Sequence, residues 1–393
     1  TYRRSNQVLA MRNSYHGRSF SSVSVTGNRF WSASSLAPFQ VSYLHGAYKL
    51  RSPFAHLDDA GYIAACAADL ENLLDTATAG DVACLIAEPI QGVGGNATPP
   101  DGMYKALKEV LDRRGILYIS DEVQTGWGRT GEHFWGFQAH GIVPDMITFA
   151  KGIANGLPLG GVVARAEIMD SIRANSISTF GGNPLATAAA LANLDYLLSE
   201  DLQGNALRVG RRLRDHLDGL AKDCALVAEV RGKGLMLGVE LVRPGSLEPN
   251  PTAAADVLEH AREHGLLLGK GGLYGNVLRI APPLSITEAE IDQAMAHSAK
   301  LREAIVQAND RSRGEGEALL TRPEAKTDTG FAALAKEHSA GREASQGGEL
   351  GIFTREQIEA VNGPLGFTLA PGETSPLLET ATAYRIIRVL ERL

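Results

Sequence analysis

Two residue types that do carbonyl chemistry together, an amine and a carboxylate, stand at the ends of apolar runs in this chain. "MITFAK", residues 146–151, is a strand-like run that stops on Lys151, with glycines crowded behind it in "GIANGLPLGG". Upstream, "GILYISDE", residues 115–122, stops on Asp121 and Glu122. A lysine at a strand end is usually a charge reaching water on its long stem, and a strand-end aspartate commonly caps the next turn. Chemistry requires more: a desolvated amine, beside an acid, in a cleft. In a parallel sheet the ends of neighbouring strands open onto one crevice, where such folds bind ligands. Asp121 and Lys151 would then face each other across it.

The elements that must place them are legible. Val8–Met11, Cys84–Glu88, Ile116–Ser120 and Met146–Ala150 read as strands buried on both faces, and residues 58–78 and 104–115 carry helical apolar spacing. Strands alternating with helices mean an α/β fold with a mostly parallel sheet. "GGVVA", residues 160–164, is too close to the preceding strand for a helical crossover and reads as antiparallel. Asn183 suits a helix N-cap and Pro184 its first turn. From about residue 205 the pattern becomes helix, strand, helix, strand, with strands at 235–241 and 276–284 and a closing helix behind a Thr287–Glu290 capping box. The expected organisation is a large domain at 1–204, a smaller α+β domain at 205–308, a polar linker at 309–330 and a separate segment at 331–393.

Bulk properties exclude several classes. A chain of 393 residues, 44% hydrophobic and with a formal charge of -7, has ample material for cores and no basic stripe for nucleic acid. No apolar stretch approaches the roughly 20 residues that span a bilayer. Three scattered cysteines, Cys66, Cys84 and Cys224, fit a reducing, cytoplasmic setting. No metal is expected: His260 and His264 share a helical face, but the HExxH glutamate is misplaced and no third ligand is in sight. "GLLLGKGG" has the wrong length for a phosphate loop, and "GVGG" alone says only that the backbone turns tightly.

Chemistry that uses a buried lysine and a buried aspartate together is carbonyl chemistry through pyridoxal 5′-phosphate. The lysine forms an imine with the cofactor aldehyde, and the aspartate pairs with the pyridinium nitrogen. At this point six segments carry a resemblance: "AEPIQGVGG", "DEVQTGWGRTG", "FAKGIANGLPLGG", "STFGGNPLA", "VRGKGLMLGVEL" and "LRIAPPLSIT". In this order, residues 1 to about 305 resemble the class III pyridoxal-phosphate-dependent aminotransferases, which implies fold type I and a homodimer. The resemblance implies Lys151 as the Schiff-base lysine, Asp121 at the pyridinium nitrogen, Gln124 beside the ring hydroxyl, Tyr15 against the ring and Glu88 among the cofactor-binding residues. Thr179 would reach the phosphate of the neighbouring subunit's cofactor. Arg279 would grip the substrate α-carboxylate with its planar fork, with Arg18 as a second carboxylate candidate and His16 beside the substrate. Taken without the resemblance, Arg279 could equally be a structural ion-pair residue and Tyr15 an ordinary core aromatic.

Where ornithine and 4-aminobutyrate enzymes of this family carry a glutamate, this chain has Val93. That points to the alanine–glyoxylate type, with alanine or a β-amino acid as donor and glyoxylate or pyruvate as acceptor. The opening "TYRRSNQ" lacks a methionine and runs directly into a strand, so the chain reads as beginning inside a longer protein, with the family's phosphate-binding turn before residue 1. Residues 331–393 resemble the C-terminal part of parvulin-type peptidyl-prolyl isomerases through "FAALAKEHS", "GGELGIF" and "AYRIIRVLE". Arg385 stands where that family has a histidine. Proline isomerisation or peptide binding is therefore the alternative activity.

Overall fold

The computed structural model describes residues 2–32, 37–222 and 224–296, with short pieces between 318 and 385. The larger sheet has six strands: β1 (Gln7–Met11), β2 (Gln40–Leu44), β3 (Cys84–Ala87), β4 (Leu117–Asp121), β5 (Met146–Phe149) and β6 (Gly161–Ala164). Their spatial order is β2-β1-β3-β4-β5-β6; all neighbours are parallel except β5 and β6, which are antiparallel. Four of these strands and the direction of β6 match the expectation, but β5, read as buried on both faces, is half-buried along its length. β2 was not read from the sequence, because "QVSYL" is short and follows a mixed stretch, "RFWSASSLAPF", without strand alternation.

Helix α1 (Phe20–Ser24) follows β1, and α2 (Asp59–Thr76) and α3 (Met103–Arg113) pack against the sheet. Asp58 caps α2 by accepting the Gly61 N–H at 2.8 Å. In α3 the buried side chains Met103, Tyr104, Leu107, Val110 and Leu111 form one helical stripe. Each contributes roughly 1.5–3 kcal/mol of burial. After β6 come α4 (Ala166–Met169), α5 (Pro184–Ser199) and the long α6 (Leu202–Lys222). Asn183 accepts the Ala186 N–H at 2.9 Å and Pro184 occupies the first turn of α5, as read.

The second sheet is antiparallel and has the order β7-β8-β10-β9, from β7 (Val227–Lys233), β8 (Met236–Leu241), β9 (Gly269–Gly271) and β10 (Val277–Ile280). Helices α6, α7 (Pro251–Glu263) and α8 (Glu288–Ala296) share its core of Leu213, Leu235, Val239, Val257 and Leu278. The capping box forms: Thr287 and Glu290 exchange bonds of 2.8 and 3.2 Å. In the tail, Leu378–Glu379 and Tyr384–Arg385 pair antiparallel, within the segment that resembles the parvulin type. The "GGELGIF" segment and residues 309–317 of the expected linker lie outside the described residues. Among the described residues no helix is long and apolar enough to cross a membrane.

His140 sits in the large core, its ring edge-on to buried Tyr104 at 4.8 Å and its Nδ1 without a partner. Burial lowers its pKa to about 4; Asp101 opposes that and Lys233 adds to it. Above pH 6.5 the ring is neutral both folded and unfolded. As the pH falls towards 4 the unfolded chain takes up a proton that the folded chain refuses, so stability drops. Over that window the loss should be about 3 kcal/mol. Urea unfolding of His140→Phe should show a correspondingly flatter pH dependence; an unchanged slope would remove His140 as the cause.

Candidate active site

Four strand ends meet at the carboxyl edge of the large sheet. Going across β1, β3, β4 and β5, the chain delivers Tyr15 and His16, then Glu88, then Asp121, then Lys151. This is the edge at which parallel sheets bind ligands. Asp121 lies in register with Thr148, three residues before Lys151. A cavity of about 380 Å³ beside Arg3, Cys84, Leu117 and Met146 opens at the opposite ends of these strands and holds none of these groups.

Lys151 opens a short helical turn, Lys151–Ala154, and has φ +46°, a left-handed conformation that costs a non-glycine residue of order 1 kcal/mol or more. The turn is tied down from α5, where Asn193 donates to the carbonyls of Gly152 and Ile153 at 2.8 and 3.1 Å. Trp127 and Phe149 pack beneath it, edge-to-face at 5.3 Å. The residue keeps solvent-exposed surface, yet the protein crowded around it lowers its ammonium pKa. Burial is the largest cause; Asp121 and Glu88 oppose it and Arg279 reinforces it, so all three lie within electrostatic reach.

Asp121 is buried and doubly held: its Oδ2 lies 2.7 Å from His16 Nδ1, and its Oδ1 accepts the Val123 N–H at 3.1 Å. An ionised carboxylate only accepts, so Nδ1 carries the hydrogen. His16, expected beside the substrate, thus spends that nitrogen on Asp121, and its buried Nε2 has no partner. Neighbouring Glu122 is also buried. It accepts from Ser120 Oγ, Thr125 Oγ1 and the Gly136 and Phe137 N–H groups at 3.1, 2.6, 2.8 and 2.8 Å, which ties down the loop after β4.

Glu88 accepts the Tyr15 and Gly92 N–H groups, both at 2.9 Å. Burial pushes its carboxyl up to about 7; His16 pulls it down and Asp121 raises it further. The Tyr15 ring meets Trp31 edge-on at 5.2 Å. Gln124 Oε1 accepts from Arg279 Nη2 at 3.0 Å, so the small sheet's arginine reaches the large sheet's crevice. Burial lowers the Arg279 pKa, opposed by Glu88, and its Nε is buried without a partner. Arg18 and Thr179 are exposed and take no part in these hydrogen bonds.

The loop 91–96 ties these parts together, a role that its tight-turn glycines and Val93 did not announce in the sequence. Gly94 O accepts from Asn13 Nδ2 at 2.9 Å, and Val93 O accepts the Gly272 N–H at 3.0 Å. Asn96 Nδ2 donates to Leu237 O at 2.7 Å. The loop's close approach to its neighbours is the reason for its glycines: a Cβ on Gly94 would meet Asn13 Nδ2 at 2.5 Å. The signal was present in "QGVGGN", but glycine spacing alone does not name the partners.

The donor set fits pyridoxal 5′-phosphate: an amine with depressed pKa, a pinned carboxylate suited to a cationic ring nitrogen, and an amide beside them. Residues 1–301 match the family model for "Aminotransferase class-III". The chain belongs to the class III aminotransferase family. A second model, "PPIC-type PPIASE domain", matches residues 295–391. The mitochondrial alanine–glyoxylate aminotransferase 2 homolog 2 of Arabidopsis thaliana is 41% identical over 74% of this chain and 61% of its own length. The 5-aminovalerate aminotransferase of Pseudomonas putida is 38% identical over 74% of this chain and 67% of its own. Among solved structures, a PLP-bound amine transaminase from an uncultivated Pseudomonas species superposes with TM-score 0.71 and 35% identity, covering 77% of this chain and 69% of that one. This chain therefore spans about two thirds of the length of these class III relatives.

Gly92 lies directly under Gln124: an added Cβ would collide with the Gln124 amide nitrogen. Gly92→Ala should therefore displace Gln124 from Arg279 at a folding cost of about 1 kcal/mol, the loss of one hydrogen bond. A fluorescence titration should show weaker pyridoxal phosphate binding, and unaltered affinity would mean that Gln124 does not contact the cofactor.

Proposed function

We propose that this chain carries the chemistry of a pyridoxal-phosphate-dependent transaminase that moves an amino group from alanine or a β-amino acid to glyoxylate or pyruvate. The observation that carries it is the convergence of Lys151, Asp121 and Glu88 at adjacent strand ends, with the lysine's charge disfavoured by burial. Pyridoxal phosphate, when bound, supplies an aldehyde for an amine and a pyridine ring that takes up the electron pair released at a substrate carbon.

The chain's own residues do the rest. Lys151, with its lowered pKa, is a competent nucleophile and moves a proton at its Nζ. Asp121 holds a proton on the ring nitrogen, and His16 orients and charge-stabilises that carboxylate. Gln124 serves the ring hydroxyl and Tyr15 lies against the ring. Glu88 fixes the Tyr15 and Gly92 backbones around it. Arg279 takes the substrate carboxylate, with Arg18 as an outer second. Val93 leaves Arg279 without a carboxylate at the position after "EPIQG", and Arg279 rests on the neutral Gln124 amide instead. This supports a donor with one carboxylate, in keeping with the alanine–glyoxylate relative.

The functional unit is a homodimer in which Thr179 reaches the partner's cofactor phosphate. In support, Ile177 and Phe180 in the segment before α5 and Leu185 and Leu191 on it stand exposed. Three unpaired cysteines support a reducing, cytoplasmic setting. The match of residues 295–391 to a peptidyl-prolyl isomerase model favours a second reading, peptide binding or proline isomerisation by the tail.

Lys151→Ala should abolish transamination and leave no cofactor on the chain after borohydride treatment and denaturation; retained turnover sinks the assignment. Asp121→Asn should bind cofactor but turn over roughly a hundredfold slower. Arg279→Lys keeps charge but loses the two-point grip, raising KM for alanine and pyruvate about tenfold. Unchanged KM in steady-state assays would remove Arg279 from carboxylate binding.

A further inference from the structure

We propose that Glu240 and Arg231 are positioning residues for substrate-carboxylate recognition: they clamp the Gln91–Asn96 loop to the small sheet and so set where Arg279 stands. This rests on the reading of Arg279 as the carboxylate-binding residue.

The geometry runs through one rung of the small sheet. Arg231 on β7 and Arg279 on β10 both lie opposite Gly238 on β8. Directly opposed residues in an antiparallel sheet point to the same face, so the two arginines flank a gap where Gly238 has no side chain. The Gly95 carbonyl fills that gap: a Cβ on Gly238 would lie 2.7 Å from it. Arg231 Nε donates to the same carbonyl at 2.9 Å. Arg279 therefore shares its rung with the clamp, and it reaches Gln124 under which Gly92, the same loop, is packed.

Glu240 holds this arrangement from two residues along β8. Its carboxylate is fully buried and takes Arg231 Nη1 at 2.6 Å, Tyr48 Oη at 2.6 Å and Arg51 Nε at 2.8 Å. Tyr48 and Arg51 belong to the segment after β2, and the Arg231 guanidinium also lies over the Tyr48 ring at 4.9 Å. One carboxylate thus joins the large domain, the small sheet and, through Arg231, the loop. Burial alone would raise the Glu240 pKa; Arg231, Tyr48 and Arg51 outweigh it and hold it low, so the group stays charged. Two arginines converge there, with Glu229 as the other counter-charge on Arg231. Neutralising Glu240 leaves excess positive charge buried, and the clamp opens. Neither Glu240 nor Arg231 is placed against the cofactor-binding crevice, so the effect reaches substrate only through Arg279.

The test compares Glu240→Gln, Tyr48→Phe and Arg279→Lys with the parent chain, loaded with cofactor. The readout is the ratio of kcat/KM for an α-amino acid to that for the matched amine with a methyl group in place of the carboxylate. Glu240→Gln should lower this ratio on the order of tenfold or more through KM for the amino acid, because sub-ångström misplacement is costly. Tyr48→Phe, which removes one donor and keeps the packing, should lower it in the same direction by less. Amide hydrogen exchange at Gly95 and Asn96, measured without substrate, should accelerate in both. If Arg279→Lys lowers the ratio and the two clamp variants leave it unchanged, or lower both substrates equally, the positioning role is overturned while the carboxylate reading stands. If Arg279→Lys leaves the ratio unchanged, the carboxylate reading fails and takes this inference with it. Unchanged exchange in Glu240→Gln would show that the loop is not held by the clamp.

Discussion

A carboxylate removed from water must be matched by donors or give up its charge, and among the described residues five carboxylates are buried, Asp145 just before β5 and four that bind the site and the two sheets together. Glu88, Asp121, Glu122 and Glu240 are each less than a tenth exposed. Their donors come mostly from loops, and for Glu240 also from the other domain. Glu122 takes two hydroxyls and two backbone N–H groups and so shapes the segment after β4. Glu88 takes the N–H groups of Tyr15 and Gly92, joining the ends of β1 and β3. Asp121 takes His16, and Glu240 takes Arg231 within its own sheet and Arg51 and Tyr48 across the domain boundary. The walls of the crevice are largely the answer to where those donors come from.

The four are satisfied to different extents, and the difference has chemical meaning. Glu240 is over-supplied with cations and held low, so it serves as a fixed charge. Glu88 has two neutral donors and is raised to about 7, so it sits between its charged and neutral forms near physiological pH. Lys151 completes the pattern from the other sign, lowered by burial against the pull of Asp121 and Glu88. Groups poised in this way cluster where protons are moved, whereas structural ion pairs are driven to one state.

The packed apolar layers give these groups a rigid floor. Tyr104 shows both duties in one residue: it fills the α3–sheet core and donates its hydroxyl to the Glu88 carbonyl at 2.7 Å. Below Lys151, Trp127, Phe134, Trp135 and Phe149 interlock edge-to-face, so the left-handed turn at residue 151 rests on aromatic surface. Apolar contact supplies stability there, and hydrogen bonds supply direction.

The sequence by itself determined four apolar strands of the large sheet, the caps of α5 and α8, and the residue types at the strand ends. Those are local properties: periodicity, N-cap chemistry and the alternation that makes a parallel sheet. It also carried the family, because six motifs in order constrain the chain more than any one does. Only the tertiary structure decided which strand ends are neighbours, since β1 lies between β2 and β3 although 39 residues separate β3 from β2. Pairings such as His16 with Asp121, Arg279 with Gln124 and Glu240 with Arg51 span 105, 155 and 189 residues. No local rule registers such contacts. The "GVGG" turn is the clearest case: its composition announced a tight bend, but its role comes from the Asn13, Arg231 and Gly272 groups that folding brings against it. A glycine records that something comes close, and only the folded chain says what.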